Sequence, residues 1–149
     1  MFLRSAKDSD FNSICEMQRS MIIDVYPNRE TSSIEKFYPV CAEWLNSPLY
    51  YVFVIEHKSK VIGFCTMQID DNDGMNSPFL TLFSIYIDKH FRHTNAIKLL
   101  FNNCIKLADE LGLNLYTFAM PQHAEMCIRS GAIPISYRFE RVFNVRAEE

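Results

Sequence analysis

Glycine is scarce in this chain, with four among 149 residues. Neither the Gly-x-x-x-x-Gly-Lys-Ser/Thr loop that holds nucleotide phosphates nor the Gly-x-Gly-x-x-Gly turn of dinucleotide-binding folds occurs in it. Because four glycines leave no room for a hidden copy, both kinds of nucleotide-binding site are disfavoured.

Basic charge, paired cysteines and long apolar runs are also missing. Fifteen basic against eighteen acidic residues give a net charge of −3, without the basic excess of a nucleic-acid binder. The five cysteines are odd in number and include no Cys-x-x-Cys pair that could begin a zinc site, so we expect small buried side chains in a reducing compartment. No apolar run approaches the roughly twenty residues of a membrane span. We therefore expect a cytoplasmic protein with neither nucleic-acid nor membrane partners.

The composition is that of an ordinary globular domain, 48% apolar and 22% charged. No repeat or flexible linker divides the sequence, so residues 1–149 are predicted to form a single domain. Helical spacing and caps predict helices over residues 11–24, 31–44 with a break at Pro39, 93–111 and 121–129. Alternating and β-rich runs predict strands over residues 2–6, 50–55, 61–69, 79–87, 113–118 and 135–145. The fold class is α+β, or mixed α/β, with one sheet that is antiparallel at its start and has helices packed on its faces.

The strongest candidate site lies where the strand over residues 79–87 leads through a polar turn into the longest helix. A helix start exposes unpaired backbone N–H groups and the positive end of the helix dipole, which favour phosphates. The segment from Ile85 to Ile97 is therefore the first place to expect an anionic ligand.

The order of elements, β-α-α-β-β-β-α-β-α-β, and several local strings resemble the GNAT superfamily of acetyl-CoA-dependent N-acyltransferases. The strings are Leu3-Arg4-Ser5-Ala6 with Asp10 and Ile14, the hairpin at Glu56 to Phe64 with Ile62-Gly63, the acyl-CoA motif at Ile85 to Leu111, and Cys127 to Ile133 before the last strand. The resemblance covers nearly the whole chain, and it implies a GNAT-like fold with one central mixed sheet and helices on both faces.

The resemblance also implies acetyl-CoA as acyl donor, with its pantetheine beside Ile85 and Ile87. Its pyrophosphate would lie on a turn that in the family reads Arg/Gln-x-x-Gly-x-Gly/Ala and here comprises Arg92, His93, Thr94, Asn95, Ala96 and Ile97. Asn95 and Ile97 then stand at the glycine positions, and Arg92 adds charge for the phosphates. A register shifted by one residue puts Thr94 and Ala96 there instead and loses the arginine match. Both registers remain open.

The implied reaction is direct attack by an amine, of a small molecule or a protein, on the thioester, and it needs a base and often an acid. Family members often carry a carboxylate on the fourth strand or its neighbours, and residues 79–84 have none. They commonly also carry a tyrosine four residues before the glycine that here is Gly131. No catalytic residue is assigned, and the candidates are Cys127, Tyr116 and His123. The alternative hypothesis is a catalytically inactive GNAT-like module that binds or inhibits a protein, which Ile97 and Cys127 favour.

The remaining patterns have simpler interpretations. The pair His90 and His93 lacks a third ligand at suitable spacing, so we predict no metal site. His123 and Cys127 are four residues apart on a helix, which we interpret as incidental. The acidic segment at residues 70–74 is interpreted as a solvated turn whose charge would favour a cationic substrate. A short strand at the C terminus can pair with the edge of a second copy, so a homodimer is a further expectation.

Overall fold

A computed structural model describes residues 1–26, 33–71, 77–119 and 121–134. These ranges contain five strands, four α-helices and three short 3₁₀ turns that precede α1, α2 and α3. In chain order the elements are β1 (Phe2–Ser5), α1 (Phe11–Val25), α2 (Tyr38–Asn46), β2 (Tyr50–His57), β3 (Lys60–Asp70), β4 (Phe79–Ile87), α3 (Ala96–Leu111), β5 (Asn114–Thr117) and α4 (Pro121–Arg129). The chain divides into two compact units, Met1–Phe118 and Ala119–Glu149, and α4 lies in the second.

The α+β class and the predicted order of elements are confirmed over the described residues. The bounds of β4 and α4 agree with the predicted ranges 79–87 and 121–129. The predicted strand at residues 135–145 and most of the acidic turn at residues 70–74 lie outside the described residues. The single domain over residues 1–149 stays a prediction.

Pro39 breaks the second helical segment into two pieces, as predicted. A 3₁₀ turn over Ile34–Phe37 comes first, and α2 then begins at Tyr38 with the proline in its first turn. Because the first N–H groups of a helix have no acceptor within the helix, a proline there removes no hydrogen bond. The break therefore lies just before the proline.

The strands form one mixed sheet in the order β1-β2-β3-β4-β5. The first three pairings are antiparallel, and β4 pairs with β5 in parallel. The hairpin between β2 and β3 turns at Lys58 and Ser59, whose φ angles are 49° and 62°. Positive φ at both central residues is typical of a tight two-residue turn, which matches the right-handed twist of the strands that it joins.

Helices cover both faces of this sheet. Phe64 of β3 packs in one cluster with Ile14 of α1 and Trp44 of α2. The sulfur of the next residue, Cys65, lies 3.7 Å from the sulfur of Cys104 on α3. Because successive side chains of a strand point to opposite faces, α1 and α2 cover one face, the α1/α2 face, and α3 covers the other. All five cysteines are buried, as predicted.

The helical spacing of the apolar residues in the longest helix predicts that one stripe is buried, and the buried side of α3 differs from it in part. The predicted stripe comprises Ile97, Leu100, Cys104, Leu107, Ala108 and Leu111. Its buried residues are Ala96, Leu100, Phe101, Cys104 and Ala108. Ile97 and Leu107, expected in the stripe, are half-buried, and Leu111 is exposed. The stripe is therefore turned toward residues spaced four apart. Gly112, with φ of 65°, ends the helix at the predicted position by donating to the carbonyls of Ala108 and Asp109.

Within the described ranges, no helix combines the length and the apolar character needed to cross a membrane.

Arg4 connects β1 to the start of α1. Its Nη1 and Nη2 donate to the two carboxylate oxygens of Asp10 at 2.7 and 3.0 Å, and its Nε donates to Glu56 on β2 at 2.9 Å. The buried Asp10 also accepts from the backbone N–H of Lys7 at 2.7 Å. The hydrogen bond from the Arg4 guanidinium holds the pKa of the Asp10 carboxyl below its ordinary value. The ionised carboxylate thus holds the start of α1 against β1.

We expect Asp10→Asn to lower the free energy of unfolding at pH 7 by about 2 kcal/mol, because it removes charge-assisted hydrogen bonds. Since the native pKa of Asp10 is lowered, its contribution is complete above about pH 4 and is lost as the pH falls through that lowered value. Urea unfolding of both proteins from pH 7 to pH 2.5 measures the difference, which should shrink in acid. Asp8→Asn, in the same turn but exposed, is the matched control. An Asp10→Asn variant as stable as the wild type at pH 7 would contradict this role.

Candidate functional site

The candidate site lies where β4 and β5 separate. Their parallel ladder joins Phe79–Leu82 to Asn114–Thr117 and ends there. Between Thr66 and Met67 the register of β3 with β4 shifts, which leaves Phe83 as an extra residue in β4. Such a bulge bends a strand and increases its local twist. Beyond Leu82, β4 continues to Ile87 with β3 as its only strand partner among the described residues.

The open edge of β4 presents backbone groups of Ile85 and Ile87. The N–H of Asp88 donates to the carbonyl of Ile62 at 2.8 Å, toward β3. Because backbone groups of alternate residues point to opposite edges of a strand, those of Ile85 and Ile87 point away from β3. The side chain of Ile87 is buried and that of Ile85 half-buried on the α3 face. These two residues, predicted to lie beside pantetheine, therefore present main chain rather than side chain at the edge.

The turn between β4 and α3 satisfies some of its backbone N–H groups internally. Phe91 donates to the carbonyl of Asp88 at 2.8 Å, Thr94 to that of Phe91 at 3.0 Å, and Ala96 to the hydroxyl of Thr94 at 3.3 Å. The first bond of the helix runs from Leu99 to the carbonyl of Asn95 at 3.0 Å.

Other amides of this turn remain available. Within the described residues, no acceptor is found for the backbone N–H groups of His93, Asn95, Ile97 and Lys98. Unpaired amides in the first turn are inherent to a helix start, where the dipole is positive. The start of α3 thus combines several free donors with a favourable potential for an anion.

The turn does not require the backbone freedom of glycine. Asn95, at a predicted glycine position, has φ of −81°. Among the described non-glycine residues, only Lys58 and Ser59 of the hairpin have positive φ. Ile97, at the other glycine position, is half-buried in the first turn of α3. The missing glycines therefore cost this turn no backbone strain.

Arg92 is held beside the open edge by three contacts. Its Nε donates to the carbonyl of Ile87 at 3.0 Å, and its Nη2 donates to Asp24 of α1 at 2.6 Å. Its guanidinium carbon also lies 5.2 Å from the ring centroid of Tyr86. The hydrogen bond to Asp24 raises the pKa of Arg92, so the side chain stays a cation. A depression of about 330 Å³ between α1 and this turn is lined by Arg92, Asp24, Tyr86, Lys89 and His90, among others.

Polar side chains line β3 and β4 on the α1/α2 face. Thr66 and Ser84 are buried opposite each other beside the bulge, and the hydroxyl oxygen of Thr66 has no hydrogen-bond partner within the described residues. Further along, the hydroxyl of Thr81 donates to Asp70 at 2.9 Å. Asp70 is a carboxylate at the end of the neighbouring strand, where it is the register partner of Phe79, and it was not among the catalytic candidates singled out from the sequence.

The three catalytic candidates from the sequence lie in different settings. Tyr116 on β5 is the register partner of Thr81. Its ring packs edge-on against that of Phe79, with 5.0 Å between the ring centroids. This register brings Tyr116 to the same face of the sheet as Thr81. His123 is exposed and Cys127 is buried on α4, in the second unit. Burial raises the pKa of the Cys127 thiol, which disfavours a thiolate nucleophile.

Among the described residues, no group of three or more His, Cys, Asp or Glu side chains could hold a metal ion. His90 and His93 lie in the turn before α3, where the backbone N–H of His90 donates to the carboxylate of Asp88 at 2.9 Å.

The sequence matches the profile of the acetyltransferase (GNAT) family over residues 14–126, about three quarters of the chain. The chain belongs to the GNAT family. No curated protein matches its sequence. The resemblance inferred from the acyl-CoA motif and the order of elements is thereby confirmed.

Solved structures share the fold of this GNAT protein. A predicted acetyltransferase from Clostridium acetobutylicum, solved with acetyl-CoA, has a TM-score of 0.80 at 12% identity and covers 95% of each chain. Glucosamine-6-phosphate N-acetyltransferase from Arabidopsis thaliana has a TM-score of 0.75 at 15% identity, covering 96% of this chain and 98% of its own. An aminoglycoside acetyltransferase from an uncultured soil sample, in complex with sisomicin, has a TM-score of 0.69 at 17% identity, covering 96% of each. These likenesses confirm the GNAT-like fold.

Gly63 allows β3 to approach the end of β4 closely. A β-carbon at this residue would lie 2.5 Å from Cδ1 of Ile87 and 3.0 Å from the carbonyl oxygen of Tyr86. The glycine therefore keeps the open edge of β4 in place by leaving room for Ile87.

We expect Gly63→Ala to destabilise the protein by about 2 kcal/mol, because the added methyl group overpacks this contact. Ile87→Val removes Cδ1, so the double variant should recover part of the loss even though Ile87→Val alone is mildly destabilising. Urea unfolding of the four proteins forms a double-mutant cycle. Additive effects would show that the contact with Ile87 is not the cause.

Proposed function

We propose that this GNAT protein is an acetyl-CoA-dependent N-acetyltransferase that acts on an amine of a small molecule or a protein. The observation that carries the proposal is the group of free amides at the start of α3, beside the open edge of β4. Amides at a helix start suit the phosphates of CoA. A free strand edge suits the amide groups of its pantetheine arm.

The residues of this chain fit such a donor. Acetyl-CoA supplies an acyl carbon activated as a thioester. Ile85 and Ile87 offer backbone groups to the pantetheine arm. The amides of His93, Asn95 and Ile97 offer donors to the pyrophosphate. The amide of Thr94 is already bonded to the carbonyl of Phe91, and that of Ala96 to the hydroxyl of Thr94.

The separation of the turn's amides into free and bonded ones distinguishes the two ways of aligning the turn with the family motif that the sequence leaves open. The free N–H groups include those of Asn95 and Ile97, the glycine positions in the register that also keeps the arginine match at Arg92. We therefore prefer that register. Arg92 then adds a positive charge beside the same amides.

We assign Asp70 as the general base that receives the proton lost by the attacking amine. Thr81 orients the carboxylate through its 2.9 Å hydrogen bond to Oδ2, and the proton goes to the other oxygen, for which no hydrogen-bond partner is found among the described residues. The new bond joins the amine nitrogen to the acyl carbon, and the bond from that carbon to sulfur breaks. Tyr116, on the same face of the sheet, is our choice of acid to protonate the departing thiolate.

The acceptor is an amine that arrives as a cation and releases one proton to solvent before its lone pair attacks; Asp70 receives the second proton after the attack. Asp70 and the exposed Asp71 at the end of β3 give this region negative charge, which favours a protonated amine over an anionic acceptor. No side-chain hydrogen bond or ion pair of His123 or Cys127 is found among the described residues, and we give them no part in the proposed reaction. The inactive protein-binding module is the alternative that the following measurements decide.

Acetyl-CoA should raise the melting temperature of the wild-type protein. At a hundred times its dissociation constant, a ligand adds about 2.7 kcal/mol to the free energy of unfolding. Thermal unfolding and calorimetric titration with acetyl-CoA measure the effect. No shift at millimolar acetyl-CoA would contradict the proposed function and favour the inactive module.

Asn95→Asp locates the binding site, because it adds a carboxylate among the free amides without changing the size of the side chain. A carboxylate at this position favours the helix itself, so the variant should be at least as stable as the wild type. We expect its affinity for acetyl-CoA to fall by about tenfold or more, through repulsion of the phosphates. Asn102→Asp, exposed on the same helix, adds equal charge away from the turn and should bind as the wild type does.

Asp70→Asn should lower kcat by about a hundredfold or more and leave the affinity for acetyl-CoA unchanged, because it removes the base and not the donor site. Release of free CoA thiol in the presence of a panel of primary amines measures the rate. Asp71→Asn, exposed and adjacent, should retain the wild-type kcat at saturating amine and change only the KM for the amine. Full activity of Asp70→Asn would exclude this carboxylate as the base. Binding of acetyl-CoA by the wild type without thiol release for any amine would favour the inactive module.

A further inference from the structure

We propose that Asp24 weakens the binding of the acyl donor by competing with its phosphates for Arg92. The inference rests on the proposed function and adds a residue of α1, far in sequence from the turn, to the donor site. Its basis is the contact between Arg92 Nη2 and Asp24 Oδ2 at 2.6 Å, beside the free amides that start α3.

Arg92 is oriented without help from Asp24. Its Nε–H is bonded to the carbonyl of Ile87 at 3.0 Å, and its guanidinium carbon lies 5.2 Å from the centroid of the Tyr86 ring. Both contacts belong to β4 and place the guanidinium at the end of the open edge. Removing Asp24 would therefore leave the cation in position and change mainly the charge around it.

The ion pair can exchange its anion readily. The side chains of Arg92 and Asp24 are 49% and 50% exposed, so water and salt reach both partners. Exposed ion pairs contribute little to stability, because solvent screens them and ordering two side chains costs entropy. A phosphate, which carries more charge than a carboxylate and accepts several hydrogen bonds, is the stronger partner for a guanidinium.

The other carboxylate of this depression, Asp88, has a different task. Its Oδ1 accepts the backbone N–H of His90 at 2.9 Å, and its carbonyl accepts that of Phe91 at 2.8 Å, so it shapes the turn itself. Asp24 makes no such bond to the turn among the described residues, and its only contact there is with the cation. Asp24 is therefore the acidic residue whose loss changes charge without changing the turn.

The consequence for turnover concerns the product. CoA keeps every phosphate of the donor, so an unopposed Arg92 would hold the product as firmly as the donor. Product release limits the rate of many enzymes. By sharing the charge of Arg92, Asp24 favours release of CoA after each reaction.

The experiment measures the dissociation constant of CoA by calorimetric titration at 50 and 300 mM NaCl. The proteins compared are the wild type, Asp24→Asn, Arg92→Gln, the double variant and Glu16→Gln, a loss of charge at an exposed site on the same helix. We expect Asp24→Asn to bind CoA about three- to fivefold more tightly at the lower salt concentration. The gain should be smaller at 300 mM, because salt screens exposed charges.

The Arg92→Gln background separates competition for the cation from a general effect of charge or fold. In that background, Asp24→Asn should change the affinity by less than about twofold, because the two substitutions act through one contact. Glu16→Gln should bind as the wild type does. Urea unfolding of Asp24→Asn should show a loss of stability no larger than the free energy gained in CoA binding, because loss of one ion pair accounts for both; a larger loss would show a structural role for Asp24.

Two failures are distinguishable. A wild-type protein that does not bind CoA would contradict the proposed function and this inference with it. Binding by the wild type, with unchanged or weaker binding by Asp24→Asn, would overturn this inference alone and leave the proposed function standing. An equal gain in both backgrounds would likewise overturn it, because the effect would then not pass through Arg92.

Discussion

The backbone pairing of β4 is the constraint on which the rest of this structure depends. On one side, its hydrogen bonds with β3 run to the end of the strand. On the other side, pairing with β5 stops at Leu82, beside the bulge at Phe83. Peptide groups left at an open edge need water or a ligand as partners, since an unpaired buried peptide group costs free energy. The position of the candidate site follows from this one interruption.

The open edge and the helix start form one site because they are adjacent along the chain. β4 ends at Ile87 and α3 begins at Ala96, so the free edge and the free amides are separated by a single short turn. Arg92 joins the two parts through its bond to the carbonyl of Ile87. A local segment thereby supplies the donors and the charge, whereas the edge is open because pairing with β5 stops at Leu82. The local part of this candidate site is the part that the sequence predicts.

Glycine illustrates how a family pattern and a physical requirement can differ. The turn before α3 lacks the family's glycines, yet Asn95 has φ of −81° and needs no glycine. Gly63 stands outside that motif, yet a β-carbon there would collide with Ile87. Whether a position needs a glycine for its backbone conformation is shown by its φ angle. Whether it needs one for close packing is shown by the neighbouring strand. Neither requirement is visible in the residue type alone.

The sequence by itself determined the order of the described elements and singled out the turn before α3 as the candidate site for phosphates. Periodicity, caps and breakers act within one element, so the bounds of β4 and the end of α3 at Gly112 could be read locally. Only the tertiary structure decided that Asp70 meets Thr81, that Tyr116 lies beside that pair, and that Asp24 reaches Arg92. Strand register and ion pairs between elements depend on contacts between residues far apart in the chain, and no local pattern carries that information.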